Sequence, residues 1–223
     1  MCFTPAISLS TAIFEFAVAT FILFYFRKAT LHKSVVIFLY VLGLYQLTEF
    51  FLCTTSNPFL WAKIGFITYS FLPALGLYYA LDYLRKKVYL IPIFLVPVAI
   101  TIFVLIKTNF VSMAACGNFF VTTRNIFMGH WLGVVYLVYY FGFVVLIAVF
   151  LVLHAIKKQG TKRRIDIIVL IALVLSLLPP IVLIFILPSL KIMFPSIYCE
   201  FAVFFAFAIL LGFCLDSKQK TKK

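Results

Sequence analysis

The sequence predicts an all-α membrane protein, a single bundle of seven transmembrane helices with its N-terminus outside and its C-terminus cytoplasmic. Three observations carry that expectation. Apolar residues make up 65% of the chain and charged residues 11%, more apolar surface than a soluble domain of 223 residues can hide. The apolar residues fall in seven continuous runs, near 5–26, 33–53, 60–84, 88–106, 132–156, 164–187 and 195–215. Each run is close to the ~20 residues that a spanning helix needs. The basic residues, finally, alternate from one side of these runs to the other. A β-barrel is not expected, because barrel strands alternate apolar and polar residues over only about ten positions.

No basic residue precedes the first run, and six more runs follow it, so it reads as a retained helix and not as a cleaved signal. It carries Ser8, Thr11 and Glu15 on one face, at the spacing i, i+3, i+7. The second run repeats that spacing with Gln46, Glu49 and Cys53. The third holds Lys63 near its outer end, the nearest candidate counter-charge for Glu49. It closes on Asp82, three and four residues before Arg85 and Lys86, which is the spacing of a local ion pair. An interfacial charge that snorkels explains Asp82. Because the junction faces the cytoplasm, Asp82, Tyr83 and Arg85 are also candidate switch residues.

The fourth run leads into the longest connection, about 107–131, which holds Cys116, Gly117, Asn118, Arg124, Asn125 and His130. A loop of that length in a compact bundle is a candidate lid or exterior ligand contact. On the fifth run Tyr136, Tyr139 and Tyr140 mark one face, read as helix packing or as an aromatic wall. The sixth contains Pro179-Pro180, a candidate helix break. The seventh carries Ser196 and Glu200 at i, i+4. Trp61 and Trp131 fall at the outer interface, where aromatic belts lie.

Charge placement sets the orientation. Arg27, Lys28 and Lys33, then Arg85, Lys86 and Lys87, then Lys157, Lys158, Lys162, Arg163 and Arg164, and the tail lysines 218, 220, 222 and 223 share one side. Those are fifteen of the nineteen basic residues, and the positive-inside rule places them in the cytoplasm. The net charge of +13 then reflects loops facing anionic headgroups, and nucleic acid is not an expected partner.

Half of the six acids, Glu15, Glu49 and Glu200, lie inside apolar runs. An ionisable group in a span costs several kcal/mol unless it meets water or a partner, so each is a candidate site residue. At a rise of about 1.5 Å per residue, Glu49 and Glu200 lie roughly 6–8 Å below the outer boundary and Glu15 about 15 Å down. If the helices form a ring, the first neighbours the second and the seventh. Their polar faces then converge on a cavity open to the exterior, with Glu15, Glu49, Glu200, Gln46, Lys63, Thr11 and Ser8 as ligand-binding candidates. The plainer reading is that each acid sits neutral and hydrogen-bonded to a neighbouring helix.

Cys2, Cys53, Cys116 and Cys199 lie at or near the outer face, where disulfides persist. Cys116 joined to Cys2 or to Cys53 is the expected pairing, with free thiols as the alternative. His32, His130 and His154 are too far apart to share a metal, and no phosphate loop, nucleophile elbow or redox motif occurs. No enzyme activity, cofactor or metal is expected. The last run lacks the lysine that a microbial-type retinal pigment needs.

The stretch from Trp61 through Pro73 to Asp82-Tyr83 resembles the N-terminal seven-helix sensor region of membrane histidine kinases. In that family a Trp opens this helix, a Pro lies mid-span and an acid-Tyr pair closes it. The basic loop from Lys157 to Arg164 and the turn with Pro195 are similar too. The resemblance implies an outward-facing sensor that binds a small ligand or a proton and signals inward. Family members usually continue into a coiled coil and a kinase or cyclase. This sequence ends at Lys223, so the output is expected on a separate cytoplasmic signalling protein. The lipid bilayer and a second copy of the chain are the other expected partners. A small proton-coupled transporter or channel and a structural membrane subunit are the alternatives.

Overall fold

The computed structural model describes residues 4–26, 32–86, 88–116, 121–127, 130–186 and 195–221, with side chains left aside at 4, 32, 177–186, 195–202 and 217–221. Seven helices run through these segments: α1 (Thr4–Tyr25), α2 (His32–Thr54), α3 (Pro58–Tyr83), α4 (Leu90–Ile106), α5 (Trp131–Lys157), α6 (Thr161–Ile186) and α7 (Pro195–Thr221). Helices α1, α2, α3 and α5 are each long and apolar enough to cross a membrane. With 17 residues, α4 spans only about 25 Å. Helix α6 continues through positions 179 and 180, so the expected proline break does not interrupt it. Helix α7 runs past 215 to Thr221.

The helix ends follow local chemistry. Asn57 caps α3 by accepting the Leu60 N–H at 3.2 Å, and Pro58 fills the first helical position, where no donor is needed. At the other end Arg85 adopts φ 52, and the Arg85 and Lys86 N–H groups donate back to the carbonyls of Asp82 and Leu81. This is a Schellman closure with arginine where glycine is usual.

Helix order around the bundle follows the contacts. Helix α1 packs on α2 and α7, α2 on α3, α3 on α5, α5 on α6, and α6 on α7. The seven-membered ring expected from sequence is therefore a ring of six, with α4 laid outside against α3. Helix α3 is the spine and is the most buried of the four spanning-length helices. Helix α5 is the least buried of them and keeps a face of Val134, Val138, Val145, Val149 and Ile156 outward, a surface suited to lipid. Tyr136, Tyr139 and Tyr140 point the opposite way, into the bundle.

The connection expected as a loop holds a β-hairpin, β1 (Val111–Cys116) paired antiparallel with β2 (Val121–Asn125), with a bulge between Val111 and Met113. Its β-branched Val and Thr residues suit a half-covered ribbon. A Cys53–Cys116 disulfide fastens the hairpin to the end of α2, and Leu52, Ala62 and Val121 form a small apolar cluster beneath it. Phe66, Phe110, Phe127 and Tyr136 close the space between α3 and α5, with neighbouring ring centroids 4.9–5.7 Å apart. Entry into α5 needs Gly133, because a Cβ there would lie 2.2 Å from the Phe127 carbonyl oxygen. The molecule thus has a hairpin end and an opposite end that carries the basic loops.

Candidate functional site

A polar site lies between α1 and α2. The two helices run antiparallel in close contact. Gly43 lies under the Phe16 ring, where a Cβ would come within 2.8 Å, and Thr20 Oγ1 hydrogen-bonds the Tyr40 hydroxyl at 2.9 Å. Toward the hairpin end the Ser8 hydroxyl donates to Glu49 Oε2 at 3.4 Å and the Tyr45 hydroxyl donates to Glu49 Oε1 at 2.9 Å. Both oxygens of Glu49 are therefore engaged. Thr11 turns back on its own helix and donates to the Ser8 carbonyl at 2.9 Å.

Along α1 Glu15 falls between Ser8 and Phe16, and along α2 Gln46 falls between Gly43 and Glu49, so both lie on the stretch of the pair bracketed by these contacts. Both are fully buried, and among the described residues both carboxylate oxygens of Glu15 and both amide atoms of Gln46 lack a hydrogen-bond partner. Glu15 lies within electrostatic reach of Glu49. Buried polar atoms are nearly always satisfied, so four orphaned atoms on this stretch set this site apart from ordinary helix packing. The expected mouth to the exterior is not seen at these side chains: Glu15 and Gln46 have no exposed surface and Glu49 is 3% exposed.

Other sequence candidates fall elsewhere. Lys63 does not serve as the counter-charge of Glu49. Its Nζ donates to the Lys107 and Leu105 carbonyls at 3.1 and 3.4 Å, at the C-terminal end of α4, where the helix dipole favours a cation. Glu200 lies on α7, which packs on both α1 and α2, but its side chain is outside the described residues, as are Ser196 and all of Cys2. Cys116 joins Cys53. Asp82 makes no ion pair with Arg85 or Lys86 among the described residues. It accepts the Ser34 hydroxyl at 2.7 Å and so ties the start of α2 to the end of α3. Lys86 Nζ lies instead over the Phe150 ring of α5, 4.7 Å from its centroid.

The sequence reading missed a second polar cluster, at the basic end. His154 Nδ1 of α5 contacts Asp166 Oδ2 of α6 at 2.7 Å. Asp166 is fully buried, and the His154 ring is one-fifth exposed. The Tyr83 ring of α3 meets the His154 ring edge to face at 5.5 Å. The Tyr83 hydroxyl and Asp166 Oδ1 lie close together, and neither makes a hydrogen bond among the described residues. Asp216 of α7 is within electrostatic reach of Tyr83. A small, mostly apolar cavity rises from this cluster, lined by Gly76, Tyr79, Tyr83, Leu151, Val169 and Phe205. The sequence did hold a signal, an acid just inside the sixth run after three basic residues, but its partner depends on how α5 and α6 align.

Tyrosine rings in contact connect the first cluster to α5. Tyr45, which holds Glu49, packs on Tyr69 of α3 at 5.5 Å, and Tyr69 stacks on Tyr140 of α5 at 4.6 Å. The Tyr139 hydroxyl donates to the Ser70 carbonyl at 2.8 Å, and Ser70 and Tyr136 hydroxyls lie 3.2 Å apart. Among the described residues no group of three or more His, Cys, Asp or Glu side chains could hold a metal ion.

A family model described as the N-terminal 7TM region of histidine kinase matches residues 7–216. No curated protein and no solved structure matches the chain.

Proposed function

The chain belongs to the family of N-terminal seven-transmembrane regions of histidine kinases and is a multi-pass membrane protein, and from that premise we propose that it works as a membrane sensor module. The polar site of Glu15, Gln46 and Glu49 receives the stimulus, a small exterior ligand or a proton. The basic end passes the response to a cytoplasmic histidine kinase or other signalling partner. The hairpin end faces outward in this reading. The basic loops at the opposite end and the disulfide at the hairpin both support that orientation.

The observation that carries the proposal is the sealed Glu15, without a hydrogen bond among the described residues and within electrostatic reach of Glu49. Such a group is stable only if something else meets its charge or hydrogen-bonding need. A stimulus that binds there acts by preferring one arrangement of α1 and α2 over another. The ring contacts from Tyr45 through Tyr69 to Tyr140 join that interface to α5, whose far end holds His154.

The test is a distance measurement across the basic end. Spin labels at Lys86→Cys and Lys158→Cys, in a background with Cys2, Cys199 and Cys214 replaced by Ser, in lipid nanodiscs, report the spacing of α3 from the α5–α6 turn. Replacing Glu15 and Glu49 together by Gln is expected to shift the distance distribution. A distribution identical to that of the parent protein sinks the sensor reading. Proton-coupled transport draws on the same mid-helix carboxyl, Glu15, which lies near the middle of α1. Proteoliposomes that move protons through the wild type and not through Glu15→Gln would select transport instead.

A further inference from the structure

We propose that His154 and Asp166 form a proton-binding site at the basic end, and that loss of its proton brings the Tyr83 hydroxyl of α3 onto the Asp166 carboxylate of α6. The site is a second input to the bundle. It uses no group of the α1–α2 site, so it stands or falls apart from the receptor reading.

Asp166 has neighbours on two helices. Its Oδ2 makes the 2.7 Å contact to His154 Nδ1 of α5. The Tyr83 hydroxyl lies close to the same carboxyl group, yet among the described residues neither that hydroxyl nor Asp166 Oδ1 makes a hydrogen bond. The Asp166 side chain has no exposed surface, so solvent does not meet what these partners leave unmet. An imidazolium meets the carboxylate with an opposite charge as well as a hydrogen bond, and the pair then carries no net charge. A neutral imidazole leaves the sealed charge to hydrogen bonds alone. A second donor is then worth more, and the Tyr83 hydroxyl is already alongside. His154 is the member of the pair that solution reaches, since its side chain is 19% exposed.

The surrounding elements bring other ionisable groups. From α3, Tyr79 lies within electrostatic reach of Asp166 and Asp82, and Lys86 is turned to the Phe150 ring, about one turn before His154. From α7, Asp216 lies within reach of Tyr83. Lys157, Lys158, Lys162, Arg163 and Arg164, at the ends of α5 and α6, are exposed. Of these residue types only histidine ordinarily changes charge between about pH 5 and 8.

The exchange has room to occur. A cavity of ≈ 20 Å³ adjoins the cluster and is lined in part by Tyr83, Leu151 and Ile165. It holds a water-sized body and no organic ligand, but it leaves the Tyr83 ring space to shift. Tyr83 ends α3, and Asp82 beside it accepts the Ser34 hydroxyl of α2, so the start of α2 follows that movement.

The experiment follows the full chain in nanodiscs between about pH 5 and 8. Spin labels at Lys33→Cys on α2 and Lys162→Cys on α6, with Cys2, Cys199 and Cys214 replaced by Ser, read the distance between those helices. The imidazole nitrogen NMR signal of His154, with His32 and His130 replaced by Gln, reads the proton. The distance is expected to shorten as pH rises, with the same midpoint as the His154 signal. His154→Gln should abolish the change. Tyr83→Phe, which keeps the ring, should leave the His154 titration in place and lose the distance change. Asp166→Asn serves if His154→Gln does not fold, and it should lose the distance change too. A His154 signal that stays constant over this range overturns the proposal. So does a distance that stays fixed while His154 titrates, or one that still shortens in any of the three variants.

Discussion

Arg85 carries the clearest local cost among the described residues. Its φ of 52 lies in the left-handed region, which an L residue with a Cβ enters at a cost of roughly 1–2 kcal/mol. The closure of α3 demands that conformation, and glycine would adopt it freely. Arg85→Gly should therefore stabilise the protein by about 1 kcal/mol, read as a melting temperature higher by about 2–4 °C. Unchanged or reduced stability would mean that the guanidinium makes a contact that outweighs the backbone cost. Asp166 poses the opposite case. It is buried and holds His154 at 2.7 Å. Asp166→Leu strands the imidazole and should cost about 1–3 kcal/mol, whereas replacing Asp166 and His154 together by apolar residues should recover much of the loss. A double-mutant cycle in unfolding free energy checks this, and additive single effects would rule out the coupling. None of the pair's energetics was legible in sequence, because two residues twelve positions apart on separate helices meet only if the intervening turn sets the right register.

At the scale of elements, the hairpin and its disulfide fix how α2, α3 and α5 meet at the hairpin end. The Cys53–Cys116 bond spans 63 residues, and restraining a loop of that length stabilises a fold by about 4 kcal/mol in the chain-entropy treatment. Reduction, or Cys116→Ser, should lower the melting temperature and speed amide exchange in β1 and β2 well beyond any change in α1 and α2. Uniform exchange across the chain would show that the ribbon is held by its apolar cluster alone. Gly133→Ala tests the entry to α5, where a methyl group would meet a backbone oxygen that cannot swing aside. A loss of about 1–3 kcal/mol is expected. Helices were easy to read here, since a run of about twenty apolar residues has few other solutions. The hairpin was not, because two short strands give a weak pattern and the cysteines that anchor it allow more than one pairing.

For the whole molecule, the arrangement separates a sealed polar centre in the hairpin half of the bundle from a polar clasp at the basic end, with α3 as the shared spine. The orientation proposed for it has a direct check. With Cys2, Cys199 and Cys214 replaced by Ser, a membrane-impermeant maleimide applied to intact cells should modify Ser112→Cys on the hairpin and spare Lys158→Cys in the α5–α6 turn until the membrane is opened. The reverse labelling would invert the bundle and move the polar site to the cytoplasmic half. Glu15, Gln46 and Glu49 were all visible in sequence as polar residues misplaced in apolar helices. Their grouping followed from the neighbour rule for adjacent helices. Their closure did not, since exposure depends on how tightly Phe16 and Gly43 draw α1 onto α2.

The amino-acid sequence alone determined a helical, multi-pass membrane protein, because its apolar runs have no other way to satisfy their backbone in lipid. It also picked out the acids, because charge in such runs is costly wherever it falls. Tertiary structure decided the rest. It seated Lys63 on α4, gave Asp82 to Ser34, set α4 outside the ring and brought His154 to Asp166. Those outcomes depend on helix rotation and register, which side-chain packing between helices fixes and which no single helix encodes.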